Sequence, residues 1–445
     1  MFRRKVSEEL MDWKNNYAPK YAALLEGARR VGKSTAAEEF ARANYRSYIK
    51  VDFANITREL LNVFDDVANQ KVFFLRLQTV TGVTLYPRES VIIFDEIQRQ
   101  PLVRQAIKYL VADGTYDYIE TGSLISMKKN VKDIVIPSEE HKIPVYPMDY
   151  EEFMWAIGND TYHVLRDLYK TESEVGNGTN RKLMKDFRIY MAVGGMPQAV
   201  DAYVNGKNFT EIDRVKRDII DLYIDDFKKI DSSGKIGKMY ESIPSQLATK
   251  KKRYMISKAT GKRKSNKDLE RLSDLLDSKT VIACYNTFNP GITLAQSRDD
   301  DTFKLYLSDI GLFTTMIFKS SAKTDESIYS KLLGDKLPAD LGYLYENAVA
   351  QMITASNRQA YYHTWGKVNS THYYEVDFLL QDKTKLLPLE VKSSATKKHE
   401  SIDAFCKKYS QYVSKAILLS QKDVGKDNDL RLKPIYMLPF IMEDL

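Results

Sequence analysis

One stretch limits the possible folds more than any other: Gly27-Ala-Arg-Arg-Val-Gly32-Lys33-Ser34-Thr35. It has the form G-x-x-x-x-G-K-S. An apolar run, Tyr21 to Leu25, precedes it and has the character of a buried strand. A segment rich in Ala, Glu and Phe follows from Thr35 to Asn44 and reads as a helix. Strand, glycine loop and helix form the context in which backbone N–H groups can cradle phosphate. Gly27 and Gly32 permit the tight turn, and the helix N-terminus adds partial positive charge. Lys33 is placed to reach the β- and γ-phosphates, the Ser34 hydroxyl to ligate Mg²⁺, and Thr35 to close the loop.

The second half of such a site follows downstream. Val91-Ile-Ile-Phe94 ends in Asp95 and Glu96. Four apolar residues suit a central parallel strand covered on both faces. Its C-terminal end is where ligands bind in open α/β sheets. Asp95 is therefore the candidate metal-holding carboxylate, and Glu96 the candidate that polarises an attacking water. A further strand, Tyr116 to Glu120, ends at Thr121-Gly122-Ser123. Thr121 or Ser123 is the candidate polar group at that tip. Arg29, Arg30 and Arg99 are candidate phosphate-charge stabilisers. One sequence does not assign an arginine finger, because another copy of the chain can supply it. A homo-oligomer is a partner on that account.

Composition sets outer bounds. A chain of 445 residues is long enough for two to four domains. With 43% apolar and 29% charged residues it reads as globular. No apolar run is long enough to span a membrane, and the basic N-terminus lacks the apolar core of a signal peptide. Its 2 cysteines, Cys284 and Cys406, form neither a disulfide nor a zinc pattern, which fits a reducing cytoplasm. The net charge of +7 permits nucleic-acid contact.

Past Pro147, Asp149 is a plausible N-cap. Residues 160–230 read as mostly helical and resemble a lid behind a nucleotide-binding sheet. Several segments now stand in order: the phosphate loop, Phe94-Asp95-Glu96-Ile97-Gln98, Thr121-Gly122-Ser123, Pro147 to Phe153, and Val193-Gly194-Gly195-Met196-Pro197. Together they resemble a family of prokaryotic AAA+-like ATPases of the AAA_14 type, whose C-terminal part is a domain of unknown function, DUF4143. The resemblance implies ATP binding with Mg²⁺ and, as an enzyme, ATP hydrolysis.

The middle of the chain carries a basic run. Residues 249–267 hold 9 Lys or Arg and no acid, with Tyr254 interleaved. Such side chains can neutralise nucleic-acid phosphates, although most charge runs are solvated faces. Helices followed by the strand at Thr280–Tyr285 suggest a winged-helix-like unit, and the resemblance implies the same.

The C-terminal part offers a third constellation. A helix over 341–355 carries Glu346. Strands at 373–380 and 385–392 bring Asp377 and then Glu390-Val391-Lys392. Alternate strand residues share a face, so Glu390 and Lys392 point the same way, and a neighbouring strand can deliver Asp377. Asp377 and Glu390, assisted by Glu346, would bind Mg²⁺, and Lys392 would act on water and phosphate charge. The pattern resembles the PD-(D/E)xK nuclease core, without the proline that usually precedes its first acid, since Val376 stands there. A salt-bridged strand face explains Glu-x-Lys equally well.

The expected architecture is α/β in four segments. These are an AAA+-like phosphate-loop ATPase core over 1–150, a helical lid over 151–232, a winged-helix-like unit over 233–320, and a restriction-endonuclease-like α/β domain over 321–445. Two functions are weighed: an ATPase driving a DNA-binding and nuclease region, or a nucleotide-switched regulator whose nuclease-like fold is catalytically inactive.

Overall fold

The structure is a computed structural model. It describes residues 2–122, 137–159, 161–249, 253–261, 265–291, 293–318, 326–336, 342–367, 370–393 and 399–445. Ser123 and, within the 249–267 run, residues 250–252 and 262–264 lie outside these residues. The chain divides into two compact units. One is 1–146 with 277–279, and the other is 147–276 with 280–445.

The first unit is a parallel sheet of five strands: β1 (Ala22–Glu26), β2 (Ser47–Asp52), β3 (Ser90–Asp95), β4 (Asp117–Gly122) and β5 (Glu140–Pro144). Their spatial order is β2-β3-β4-β1-β5. The Val91–Phe94 run becomes β3, buried at every position and flanked by parallel neighbours, as its unbroken apolarity requires. Phe94 stacks on Tyr118 of β4, and Phe53, Phe64 and Phe73 extend this core under the Gln70–Thr81 helix. Because β4 lies between β1 and β3, three strand ends come together: the one feeding the phosphate loop, the one ending in Asp95, and the one ending in Thr121. Two elements are additional to those read from sequence, the Val6–Asn16 helix and strand β5.

The second unit is built on a mixed sheet of eight strands: β6 (Val281–Thr287), β7 (Arg298–Leu307), β8 (Tyr361–Gly366), β9 (Tyr373–Asp382), β10 (Lys385–Val391), β11 (Ala416–Ser420), β12 (Gly425–Asp427) and β13 (Leu430–Pro434). They lie in the order β12-β13-β11-β10-β9-β8-β6-β7. Two features depart from the four-segment expectation. First, β6 and β7 form an antiparallel pair, but β6 also pairs in parallel with β8. The middle segment and the C-terminal segment therefore share one sheet, and among the described residues no separate wing closes. Secondly, the helices expected as a lid belong to this unit and are stitched to its C-terminal elements. Tyr162 donates to the Tyr436 carbonyl at 3.3 Å, and Arg166 meets Glu443 at 2.6 Å. The N–H groups of Val175 and Gly176 donate to Asp423.

Local chemistry explains the entry into this unit. Asp149 caps the Tyr150–Ala156 helix through the Glu152 N–H at 2.9 Å, and Glu152 returns to the Asp149 N–H, a reciprocal capping box. The Gly194-Gly195 pair is a packing joint. Gly195 donates its N–H to Asp309 at 2.6 Å and accepts from the Met148 N–H at 2.7 Å. Asp309 in turn caps the Ile310–Ile317 helix through the Leu312 N–H. Tyr254 is buried, stacked on Phe303 and bonded to the Met239 carbonyl at 2.9 Å. It is part of the packing and is not a surface group interleaved with basic side chains.

Candidate nucleotide site

The phosphate loop is held from below and from the side. A Cβ on Gly27 would sit 2.2 Å from the Val145 carbonyl oxygen, so only glycine lets β1 lead into the loop beside the end of β5. Gly32, at φ 97°, opens the Lys33–Asn44 helix in the left-handed region, and Arg30 adopts φ 70° in the turn before it. Arg4, which sequence reasoning did not single out, is buried and braces this turn. Its guanidinium donates to the Val31 carbonyl at 3.0 Å and to the Tyr146 carbonyl at 2.7 Å.

Lys33 is buried, and its ammonium donates to the carbonyls of Gly27 at 3.1 Å and Ala28 at 2.9 Å. Burial pulls its pKa down to about 8, against the attraction of Glu96 and Asp95. The hydroxyl of Ser34 donates to Asp95 Oδ1 at 2.6 Å. Thr121 donates to the same oxygen, and its own oxygen accepts the Glu96 N–H at 3.2 Å. Residues separated by 61 positions in sequence thus meet at one carboxylate oxygen. Glu96 stands at φ 57°, outside the usual region for a side-chain-bearing residue, and accepts from the Gln98 amide at 2.5 Å. Thr35, Arg29, Arg30 and Arg99 are exposed.

Two further groups shape the electrostatics. Lys50 of β2 reaches Glu38 at 3.1 Å and the second Asp95 oxygen, Oδ2, at 3.6 Å. Partial burial works against its charge, but the two carboxylates outweigh this and raise its pKa. Glu120 is fully buried on β4, and burial, reinforced by Glu140, raises its pKa well above the carboxylate range. Lys50 escaped sequence reasoning because a lysine in an alternating strand reads as a solvent-facing residue.

The donor set suits Mg²⁺ and a triphosphate. One hydroxyl and one carboxylate are hard oxygen ligands, and Mg²⁺ commonly takes one or two from protein and the rest from phosphate and water. Among the described residues no group of three or more Asp, Glu, His or Cys is placed to hold a metal ion.

That last finding bears most on the C-terminal constellation. The antiparallel β9–β10 register does bring Asp377 and Glu390 to neighbouring positions. Lys392 lies on the same face, 2.5 Å from Glu390 Oε1. The acids are nevertheless taken up by their own chain. Asp377 Oδ2 accepts the Val391 N–H at 2.8 Å, and Glu346 accepts from the Tyr306 hydroxyl at 3.0 Å. Lys304 of β7, also unforeseen, is buried and pairs with Glu375 at 2.7 Å. Burial, then Glu390 and Glu346, push the Asp377 carboxyl far up, and burial raises Glu390. Glu346, Asp377 and Glu390, the expected triad, thus stand in a shared ion and hydrogen-bond network in which Glu390 Oε2 is buried without a hydrogen-bond partner.

Residues 19–154, most of them in the first unit, match a family model described as an AAA domain. Residues 184–323 match a domain of unknown function, DUF8612, and residues 341–438 another, DUF4143. The Walker-type ATPase PABY2304 of Pyrococcus abyssi is similar at 17% identity, over 71% of this chain and 96% of that one, with a TM-score of 0.44. A STAND protein with a tetratricopeptide repeat sensor from Pyrococcus horikoshii is similar at 10% identity, over 80% of this chain and 48% of that one, at 0.29. Cdc6p from Pyrobaculum aerophilum is similar at 11% identity, over 75% and 93%, at 0.24. No curated protein matches the chain. No described helix is long and apolar enough to cross a membrane.

Proposed function

We propose that the chain binds ATP with Mg²⁺ at the phosphate loop and hydrolyses it, and that the nucleotide state switches a DNA-binding second unit that does not cleave its partner. The observation that carries the first part is the convergence of Ser34 and Thr121 on one oxygen of Asp95. On binding, the Lys33 ammonium exchanges the Gly27 and Ala28 carbonyls for β- and γ-phosphate oxygens. Ser34 and Asp95 would hold Mg²⁺, which supplies charge neutralisation across those oxygens. Glu96 polarises the attacking water, and Thr121 fixes the backbone N–H of Glu96 and the carboxylate of Asp95, positioning both acids. Titration of labelled ATP into wild type and Lys33→Ala tests this. Saturable binding lost in the variant is expected, and equal affinity in both overturns the site.

The second part rests on a different observation. One oxygen each of the acids at 346, 377 and 390 is engaged, by a tyrosine hydroxyl, a backbone amide and Lys392, and we take these as the contacts of a catalytically inactive fold. The basic run at 249–267 supports duplex DNA as the partner. Duplex DNA incubated with Mg²⁺ or Mn²⁺ should remain uncut while its affinity changes with ATP. Cleavage that disappears in Glu390→Gln would overturn this reading.

A further inference from the structure

Asp95 is not evenly occupied. Oδ1 accepts from two hydroxyls, Ser34 and Thr121, while Oδ2 faces the ammonium of Lys50 at 3.6 Å. Lys50 is tied more closely to Glu38 Oε2, at 3.1 Å, on the helix that follows the phosphate loop. The other Glu38 oxygen is served separately by Arg42 and the Tyr48 hydroxyl, each at 3.2 Å. Lys50 is therefore anchored by one acid and leans towards the other. It remains partly open to solvent, with 29% of its side chain exposed, so it has room to move.

We propose that Lys50 is a built-in counter-cation of Asp95 that competes with the divalent ion and sets the Mg²⁺ concentration at which nucleotide is held. This rests on the ATP reading above. Two cations a few ångströms apart at one carboxylate repel each other. An ion held by Ser34 and Asp95 therefore displaces the Lys50 ammonium from Oδ2, and Glu38 keeps the displaced group nearby. Without the ion, the same ammonium offsets the Asp95 charge that would otherwise repel an incoming triphosphate. Lys50 thus favours metal-free nucleotide and disfavours the metal, two effects of opposite sign from one side chain. Glu38 tunes both by holding Lys50 away from Asp95.

The full-length chain tests this with ATP and MgCl₂ as probes. Calorimetry or a fluorescent ATP analogue reads the half-saturating Mg²⁺ at fixed ATP, and the ATP affinity in EDTA. In Lys50→Met the half-saturating Mg²⁺ should fall about fivefold, and the affinity in EDTA should weaken by a similar factor, the size of one partly exposed ion pair. Lys50→Arg should stay near wild type. Glu38→Gln, which frees Lys50 for Asp95, should raise the Mg²⁺ requirement, and it carries the test should Lys50→Met fail to fold. Values within twofold of wild type in Lys50→Met, or in Glu38→Gln where that variant stands in, overturn the inference while leaving ATP binding intact. A wild-type chain that binds no ATP at any Mg²⁺ concentration overturns the ATP reading as well.

Discussion

Each compact unit carries a lysine–carboxylate cluster at a strand end, and the two clusters differ in what satisfies the acids. At Asp95 the partners are two hydroxyls and a half-exposed lysine, all of which can rearrange around an ion or a phosphate. At Asp377 and Glu390 the partners are a backbone amide and a lysine 2.5 Å away, under burial that pushes both acids towards the neutral form. Acid and lysine residues at strand ends can thus be satisfied in two quite different ways. The first cluster places its acid beside replaceable partners. The second removes its charge internally, as a structural network does.

The sharpest way to break this contrast is to remove the buried cation of the second cluster. Lys304→Met leaves Glu375 without its partner beside further acids, and should cost about 3–5 kcal/mol of stability in urea unfolding. A loss below about 1 kcal/mol would show that the cluster is not structural. Next is Lys33→Ala, which should weaken ATP binding about a hundredfold, the scale of one or two lost charged hydrogen bonds, without lowering the melting temperature. A drop in melting temperature would make the first cluster resemble the second. Thr121→Val should slow turnover about tenfold while ATP affinity stays near wild type, since it removes positioning and no phosphate contact.

The smallest effect separates the two clusters by pH. Burial, Glu390 and Glu346 raise the folded-state pKa of Asp377 above its unfolded value. Its contribution to stability is therefore fully present below the unfolded pKa of about 4, and is lost as pH rises through the folded value. Asp377→Asn should flatten the decline in stability between about pH 4 and neutral, with little change near pH 4 and the variant the more stable of the two at neutral pH. An unchanged slope in the variant would place the titration elsewhere.

Much of the first unit was legible because its signals are local. Gly27 to Thr35 requires a strand before it and a helix after it, and β3 shows itself as an unbroken apolar run ending in two acids. That Thr121 or Ser123 would stand beside the Asp95 strand followed from the expected AAA+-like order of strands; β4 does pair with β3, which puts Thr121 beside Asp95, while Ser123 lies outside the described residues. Arg4, Lys50 and strand β5 were not legible, because their roles come from contacts made across the fold. Arg4 reads as part of a basic terminus, and Lys50 as one polar position in an alternating strand. In the second unit the strands holding Asp377 and Glu390 were read correctly. The sharing of one sheet by β6 and β8 was not, since a parallel pairing between segments so far apart leaves no local mark. Lys304 was hidden for the same reason as Lys50.

Arg4 joins two places with one planar group: Val31 inside the phosphate loop, and Tyr146, the residue at which the chain leaves the first unit. The turn of the phosphate loop and the end of the first unit are thereby held to one another by a single rigid fork. Arg4, which reads as part of a ragged beginning, thus works as a clasp.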